Sequence, residues 1–277
     1  MKIMIMAGTT EGVKIIAMLA SLENTHIIAT TVTKEGGKLA KSAGAQEVLS
    51  EALNKEAIEK IIKTKKIDLI IDATHPFAED GTRNAIKAAN GTGIKYLRFE
   101  RSSINFTEND LIYFVSSFEN VASKVLEIIG CDNPRILHLA GVMTLHYLTQ
   151  VLNPENIIVR VLPSVYSIKK CLDLGLPSKN IIAMQGIFSK DFNRVLMKEY
   201  DIRVIITKES GNEGGTPSKI EAALELGIPV VMVMRPIVSE IDKKTVFNNV
   251  NDLLQEIINF TGYEQKLKKK RLIHGNN

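Results

Sequence analysis

Residues 1–12, Met1-Lys2-Ile3-Met4-Ile5-Met6-Ala7-Gly8-Thr9-Thr10-Glu11-Gly12, set the architecture expected of the whole chain. Lys2–Met6 is a short apolar run of strand length, and a periodic segment over 11–22 has the length of a helix. Between them Gly8 can take a positive φ or let a ligand approach the backbone. Thr9 and Thr10 offer hydroxyls as helix N-caps. Free N–H groups and the dipole at a helix N-terminus favour an anion, so Gly8, Thr9 and Thr10 are candidates to hold a pyrophosphate. The full GxGxxG spacing is absent, and an ordinary strand-to-helix turn has the same composition, so the turn alone leaves its function open.

Outward from this unit the chain keeps alternating. Strands are expected at His26–Thr31, Glu47–Leu49, Asp68–Asp72, Gly93–Arg98, Leu111–Val115, Arg135–Ala140, Asn156–Val161, Asn180–Met184, Arg203–Thr207 and Pro229–Met234. Helical segments separate most of them, the last over 245–260. Such βα alternation implies parallel sheets covered by helices. Eleven strands are too many for one ordinary doubly wound sheet. The expected fold is therefore α/β, with two Rossmann-like doubly wound parallel-sheet domains and an interdomain cleft. The boundaries are placed at 1–115 for an N-terminal nucleotide-binding domain, 116–262 for a second domain, and 263–277 for a disordered basic tail. No internal repeat is visible.

Composition excludes several classes. The 277 residues are 45% hydrophobic and 24% charged, ordinary for a globular protein, while aromatics are 5% and Trp is absent, which argues against a stacking platform for nucleic acid. Net charge is +4, part of it in the run Lys266, Lys268, Lys269, Lys270 and Arg271. Cys131 and Cys171 are isolated, so neither a disulfide framework nor a metal site is expected. No apolar stretch has transmembrane length and no signal peptide is recognisable, which makes the cytoplasm the default. The expected state is a monomer or small homo-oligomer without nucleic-acid or membrane partners.

Further candidates lie after the strands, where α/β sheets bind ligands. At the end of the second strand stand Thr30-Thr31-Val32-Thr33-Lys34, with no acidic residue for a ribose 2′-hydroxyl. Thr33 and Lys34 suit a 2′-phosphate instead, favouring NADP over NAD. Asp72-Ala73-Thr74-His75-Pro76-Phe77-Ala78 follows the fourth. Thr74 and His75 are cofactor candidates, His75 is also a candidate proton donor, and Phe77 is an apolar rim. A local hydrogen-bond cap explains His75 as well. Arg83, Arg98, Arg101, Arg160 and Arg235 are candidate partners of carboxylates or phosphates; for Arg98 and Arg101 an ion pair with Glu100 is the competing expectation. Thr207-Lys208-Glu209-Ser210-Gly211-Asn212-Glu213-Gly214-Gly215-Thr216 is the richest loop. Lys208, Ser210, Gly211, Gly214 and Thr216 form a candidate anion cradle, though not a Walker loop. Lys219 and Glu221 are expected to pair on a helix face.

Taken together these segments resemble the precorrin-6A reductase family of cobalamin biosynthesis. The resemblance rests on AGTTEG (7–12), DATHPFA (72–78), YLRFER (96–101), RVLP (160–163), QGIFS (185–189), TKESGNEGGTPSKIEAA (207–223) and GIPVVMVMRP (227–236). It departs at Ala7, where a Gly is usual, and at Ile187, where a Pro is common. It implies NADPH as hydride donor and the reduction of one carbon–carbon double bond in a precorrin-6A or cobalt-precorrin-6A macrocycle. The tetrapyrrole substrate would lie near Phe77, Arg83, Arg98, Arg101, Arg160, Lys208, Ser210, Gly211, Gly214, Thr216 and Arg235. The rival classes are another NAD(P)-binding reductase and a non-catalytic nucleotide sensor. A Tyr-x-x-x-Lys pair would favour a short-chain reductase; Tyr147 is followed by Val151, and Tyr166–Lys170 comes too early in its helix.

Overall fold

The computed structural model describes residues 1–104, 109–130 and 134–261. Cys131 and the basic segment after 262 lie outside the described residues. The order is β1 (Lys2–Ala7), α1 (Thr10–Ala20), β2 (His26–Thr31), α2 (Lys34–Ser42), β3 (Glu47–Ser50), α3 (Lys55–Lys65), β4 (Leu69–Ala73), α4 (Glu79–Thr92) and β5 (Lys95–Phe99). There follow β6 (Ile112–Val115), α5 (Val121–Ile129), β7 (Arg135–His138), α6 (His146–Thr149), β8 (Ile157–Val161), α7 (Val165–Asp173), β9 (Ile181–Ala183) and α8 (Lys190–Glu199). The chain ends with β10 (Ile202–Lys208), α9 (Thr216–Glu225), β11 (Val230–Val233), β12 (Val246–Phe247) and α10 (Val250–Thr261).

Two six-stranded sheets form, β12-β5-β4-β1-β2-β3 and β6-β11-β10-β7-β8-β9, with parallel pairing in every described ladder. Each has the 3-2-1-4-5-6 order of a Rossmann sheet. The sixth strand is unusual in both: β12 comes from the end of the chain, and β6 precedes the five strands it joins. The compact units are accordingly 1–102 with 237–277, and 103–236. The boundary expected at 115 is thus corrected, and so is the assignment of 245–260 to the second domain. Leu253 and Ile257 of α10 are buried in the first unit's core. Sequence order hid this, because a strand is assigned to a sheet by its partner and not by its neighbour in the chain.

Strand alternation builds the first core. Ile3, Ile5 and Ala7 face Ile15, Ile16, Leu19 and α10, while Met4 and Met6 face Ile58 and Ile62 of α3 and Ala85, Ala88 and Ala89 of α4. Helices therefore cover both faces. In the second unit Leu137, Ile158, Ile205, Val230 and Met232 pack on Met197 of α8 and Ile220 and Ala223 of α9. Helix starts follow the sequence: Thr9, Thr33, Asn54, Ser164 and Ser189 each accept a first-turn N–H.

At the first turn, a Cβ added to Gly12 would lie 3.1 Å from Ala7 Cα and 3.2 Å from Ala7 Cβ. The absence of a side chain lets α1 sit against β1. We expect Gly12→Val to force α1 outward and destabilise the protein by about 1–3 kcal/mol in chemical denaturation.

Candidate functional site

The first unit's site lies where the strand order reverses between β1 and β4. Thr9 Oγ1 donates to Ala73 O at 2.9 Å and accepts from Gly12 N–H at 3.1 Å, tying the end of β1 to the end of β4. A Cβ on Gly8 would point at His75 N and Thr74 Cα, both 3.9 Å away. Gly8, Thr9, Thr74 and His75 are therefore together, with Thr10 exposed as the first residue of α1. The side-chain-free corner at Gly8, beside a helix N-terminus, fits a dinucleotide's pyrophosphate.

Glu11, in the first turn of α1, puts a carboxylate where an anion would bind. Arg101 answers it, with Nη2 at 2.8 Å from Glu11 Oε2. The pair keeps the helix end from repelling phosphate.

His75 Nδ1 accepts the Phe77 N–H at 3.1 Å, and the two rings are 5.7 Å apart. This bond places the lone pair on Nδ1 and the proton of a neutral ring on Nε2. The loop is fixed from below by Asp72, fully buried. Asp72 accepts from Thr74 N–H (3.0 Å), Thr74 Oγ1 (2.7 Å), Thr82 Oγ1 (2.8 Å), Tyr96 OH (2.8 Å) and Arg98 Nη1 (2.7 Å). Arg98 is 2% exposed and also donates from Nε to Glu100 at 2.7 Å. Burial opposes the Arg98 charge, but Asp72 and Glu100 outweigh it and raise the guanidinium above its ordinary range. Burial, then the Asp72 charge, pushes the Tyr96 phenol up. Arg98 as a substrate contact is thus corrected: the carboxylates it binds are internal. Arg83 lies on the side of α4, 2.7 Å from Glu79 and 3.4 Å from Glu240, and is likewise engaged with the protein's own acids.

Beside β1, Thr33 caps α2 by accepting Gly36 N–H at 3.0 Å. Lys34 opens that helix, and Lys34, Lys38 and Lys41 line a groove of about 450 Å³ with Gly37, Val48 and Ser50. The groove extends the basic character expected of Lys34 to Lys38, one helical turn on.

In the second unit the glycine loop after β10 is internally fastened. Ser210 Oγ and Thr216 Oγ1 are 3.1 Å apart, and Thr216 Oγ1 donates to Lys208 O at 3.2 Å. Gly211 and Gly215 have φ of +76° and +65°, and a Cβ on Gly214 would fall 1.9 Å from Ser210 Oγ. Thr216 is fully buried, so its role, expected as a ligand contact, is to hold the loop's shape. Arg235 pairs with the buried Glu209 through Nε, and its Nη2 lies 3.3 Å from Glu209 Oε1. Like Arg98, it neutralises an internal acid.

Arg160 behaves differently. Arg160 Nη1 donates to Asn193 Oδ1 at 2.9 Å, its guanidinium stacks 4.7 Å from the Phe188 ring, and burial pulls it down to about 10. Burial lowers Lys208 to about 8. Lys219, expected on a surface beside Glu221, is instead 8% exposed and donates to Gly214 O at 2.9 Å. Burial, then Arg160 and Lys208, pull it down to about 7. The signal for Lys219 was present in the sequence: it is in helical step with Ala222 and Ala223, which are buried. Nearby His138 is fully buried, donates from Nε2 towards Gly141 O at 3.0 Å, and is held neutral, down to about 4, mainly by burial. Cys171 is buried and burial raises its thiol. Among the described residues no cluster of His, Cys, Asp or Glu could hold a metal, and no helix is long and apolar enough to cross a membrane.

Two Rossmann-type sheets, one opening on an anion-receptive turn and the other on a cationic floor, define a nucleotide-binding class of α/β protein. The family described as "Precorrin-6x reductase CbiJ/CobK" matches residues 2–258. The chain belongs to this family of oxidoreductases of cobalamin biosynthesis. It is 42% identical over 258 residues to the cobalt-precorrin-6A reductase of Methanothermobacter thermautotrophicus, covering 93% of this chain and 84% of that one. It is 36% identical over 259 residues to the cobalt-precorrin-6A reductase of Methanocaldococcus jannaschii, covering 94% and 99%. A solved structure of CobK precorrin-6A reductase shares the fold, with a TM-score of 0.73 at 18% identity over 93% of this chain and 96% of that one.

Arg98→Met should leave Asp72 buried and unneutralised and cost about 3–5 kcal/mol in denaturant unfolding; Arg98→Met with Asp72→Asn should recover part of the loss. Arg101→Met should weaken the binding of a nicotinamide dinucleotide by leaving the Glu11 charge uncompensated, and adding Glu11→Gln should restore it. Equal affinities in a fluorescence titration of the single and double variants would remove that pair from the cofactor site.

Proposed function

We propose that this protein reduces one carbon–carbon double bond of cobalt-precorrin-6A to the dihydro form, using NADPH. Its whole-chain likeness to two cobalt-precorrin-6A reductases supports the cobalt-bearing macrocycle. The observation that carries the cofactor assignment is the corner at Gly8, where backbone, helix N-terminus and the Thr74–His75 turn meet without an intervening side chain. Among the described residues the second unit differs at this point. The equivalent turn after β7 leads into a 3-10 turn and the four-residue α6 rather than a long helix.

When bound, NADPH supplies the hydride; one proton is also required, so substrate, NADPH and H⁺ give the dihydro product and NADP⁺. Gly8, Thr9 and Thr10 would hold the pyrophosphate, and Thr33 and Lys34, with Lys38 beyond, the 2′-phosphate. Thr74 and His75 would border the nicotinamide end. In the tautomer set by the Phe77 N–H, His75 Nε2–H would donate a hydrogen bond, and the proton that balances the hydride would come from water. Arg160 and Lys208 would bind carboxylates of the macrocycle, with Gly211 and Gly214 giving the adjoining loop its shape and Phe77 an apolar contact.

The assay is NADPH absorbance with and without cobalt-precorrin-6A. Oxidation only when both are present is the expected result; NADPH binding without turnover would replace the reductase by a nucleotide sensor. Lys34→Ala should raise the Kd for NADPH at least tenfold more than that for NADH, about 1.4 kcal/mol of discrimination. An equal loss for both would move the 2′-phosphate elsewhere.

A further inference from the structure

Basic side chains at the two sites differ in whether the protein supplies their counter-charge. Arg98 is matched by Asp72 and Glu100, Arg101 by Glu11, and Arg235 by Glu209. Arg160 and Lys219 have no carboxylate within ion-pair distance among the described residues. They are close enough for Arg160 to disfavour the Lys219 charge. Two like charges sharing a low-dielectric site, with no internal counter-charge, oppose folding unless something outside the chain repays them.

Both side chains are nevertheless positioned in advance. Asn193 of α8 orients Arg160, and its amide is itself fixed by donating to Ser189 O at 2.9 Å and Phe188 O at 3.3 Å. Phe188 supports the flat of the guanidinium. Lys219 is tethered to the glycine loop through Gly214 O. Ile187, 64% exposed, adds an apolar side chain over the same loop, its Cγ2 3.4 Å from the place a Cβ of Gly215 would occupy. Preset cations under an apolar lip fit a carboxylate carried on the edge of an apolar ring.

We propose that Arg160 and Lys219 are the receptor for one carboxylate of the tetrapyrrole. This rests on the tetrapyrrole reading above. The groups facing Lys219 are Arg160 from β8 and Lys208 from β10, with the neutral Asn193 on α8; on its own helix Glu221 is exposed. The sign follows. The free site keeps Lys219 charged below about pH 7 and neutral above it. An anion binds the charged form, so affinity is full at low pH and falls as pH rises. Carboxylate binding would then be accompanied by uptake of up to about half a proton at pH 7, and more above it.

The test uses the full chain and uroporphyrin, an unreduced tetrapyrrole octacarboxylate, titrated by fluorescence between pH 6 and 7.5 at constant ionic strength, where Lys208, near 8, keeps most of its charge. Affinity should fall about fourfold across this interval, as a lysine near 7 requires. Lys219→Met should bind at least tenfold more weakly at pH 6 and lose the pH dependence. Lys219→Arg should bind with a flat profile, because a guanidinium stays charged. Arg160→Met, which removes a neighbouring positive charge, should move the midpoint to higher pH, and thermal melts of all variants report folding. NADPH affinity should be unchanged throughout. A wild-type protein that ignores uroporphyrin, or a pH profile that survives in Lys219→Met, would overturn the proposal. Intact, Lys219-dependent binding with no NADPH oxidation on cobalt-precorrin-6A would instead overturn the reductase reading and leave the receptor standing.

Discussion

The first unit's site depends on a salt bridge that no ligand touches. Asp72 ends an all-apolar strand with its carboxylate fully buried, and a charge there is tolerable only if it is saturated. Arg98 on β5, Tyr96 on the same strand, Thr82 on α4 and Thr74 on the loop supply the donors. Each of these bonds fixes one wall of the Thr74–His75 turn. The turn is therefore rigid for an electrostatic reason. His75, whose Nδ1 is occupied by Phe77 N–H, inherits a defined tautomer from that rigidity.

The second unit repeats the device in altered form. Its strand order matches that of the first, with β10 in the place of β4 and β11 in the place of β5. Glu209 follows β10 and Arg235 follows β11, so an acid and an arginine meet again at the ends of corresponding strands. The units diverge in what surrounds this pair. In the first, the neighbouring turn starts an eleven-residue helix whose first-turn acid, Glu11, is paired with Arg101. In the second, the corresponding turn has no comparable helix, and buried cations collect at β8, β10 and α9 instead. One architecture thus yields a site suited to phosphates held by backbone and dipole, and another suited to carboxylates held by side-chain charge.

Much of this was legible from local patterns. All eleven expected strands form, because each is a short apolar run bounded by polar turns. The N-caps Thr9 and Thr33 are where hydroxyls precede periodic segments. What failed were statements about partners. β12 is two residues long and its membership is decided by pairing with Arg98 and Phe99 far away in sequence, which no local pattern encodes. The same non-locality misplaced the domain boundary and concealed the matching strand orders of two units without visible sequence repetition. Arg98 and Arg235 looked like ligand contacts because an arginine at a strand end has that chemistry. Whether an internal carboxylate has already claimed it depends on the adjacent strand. Asp72 within a run of buried residues was the available warning, since a buried acid demands a cation.

The net charge of +4 is spread unevenly in its energetic consequences. Exposed lysines contribute little, because water and salt screen them. Arg160 and Lys219 are different: they are removed from water without a matching acid, so their cost is carried by the folded state whenever the site is empty. Neutralising Lys219 is the cheapest relief available to the protein, and Arg160, which keeps its proton far more tenaciously, cannot provide it. A ligand carboxylate reverses the balance by making the ammonium form the stable one. On the proposed reading the site changes its own charge with occupancy, and a ring carrying several carboxylates would meet a floor that becomes more positive as it settles.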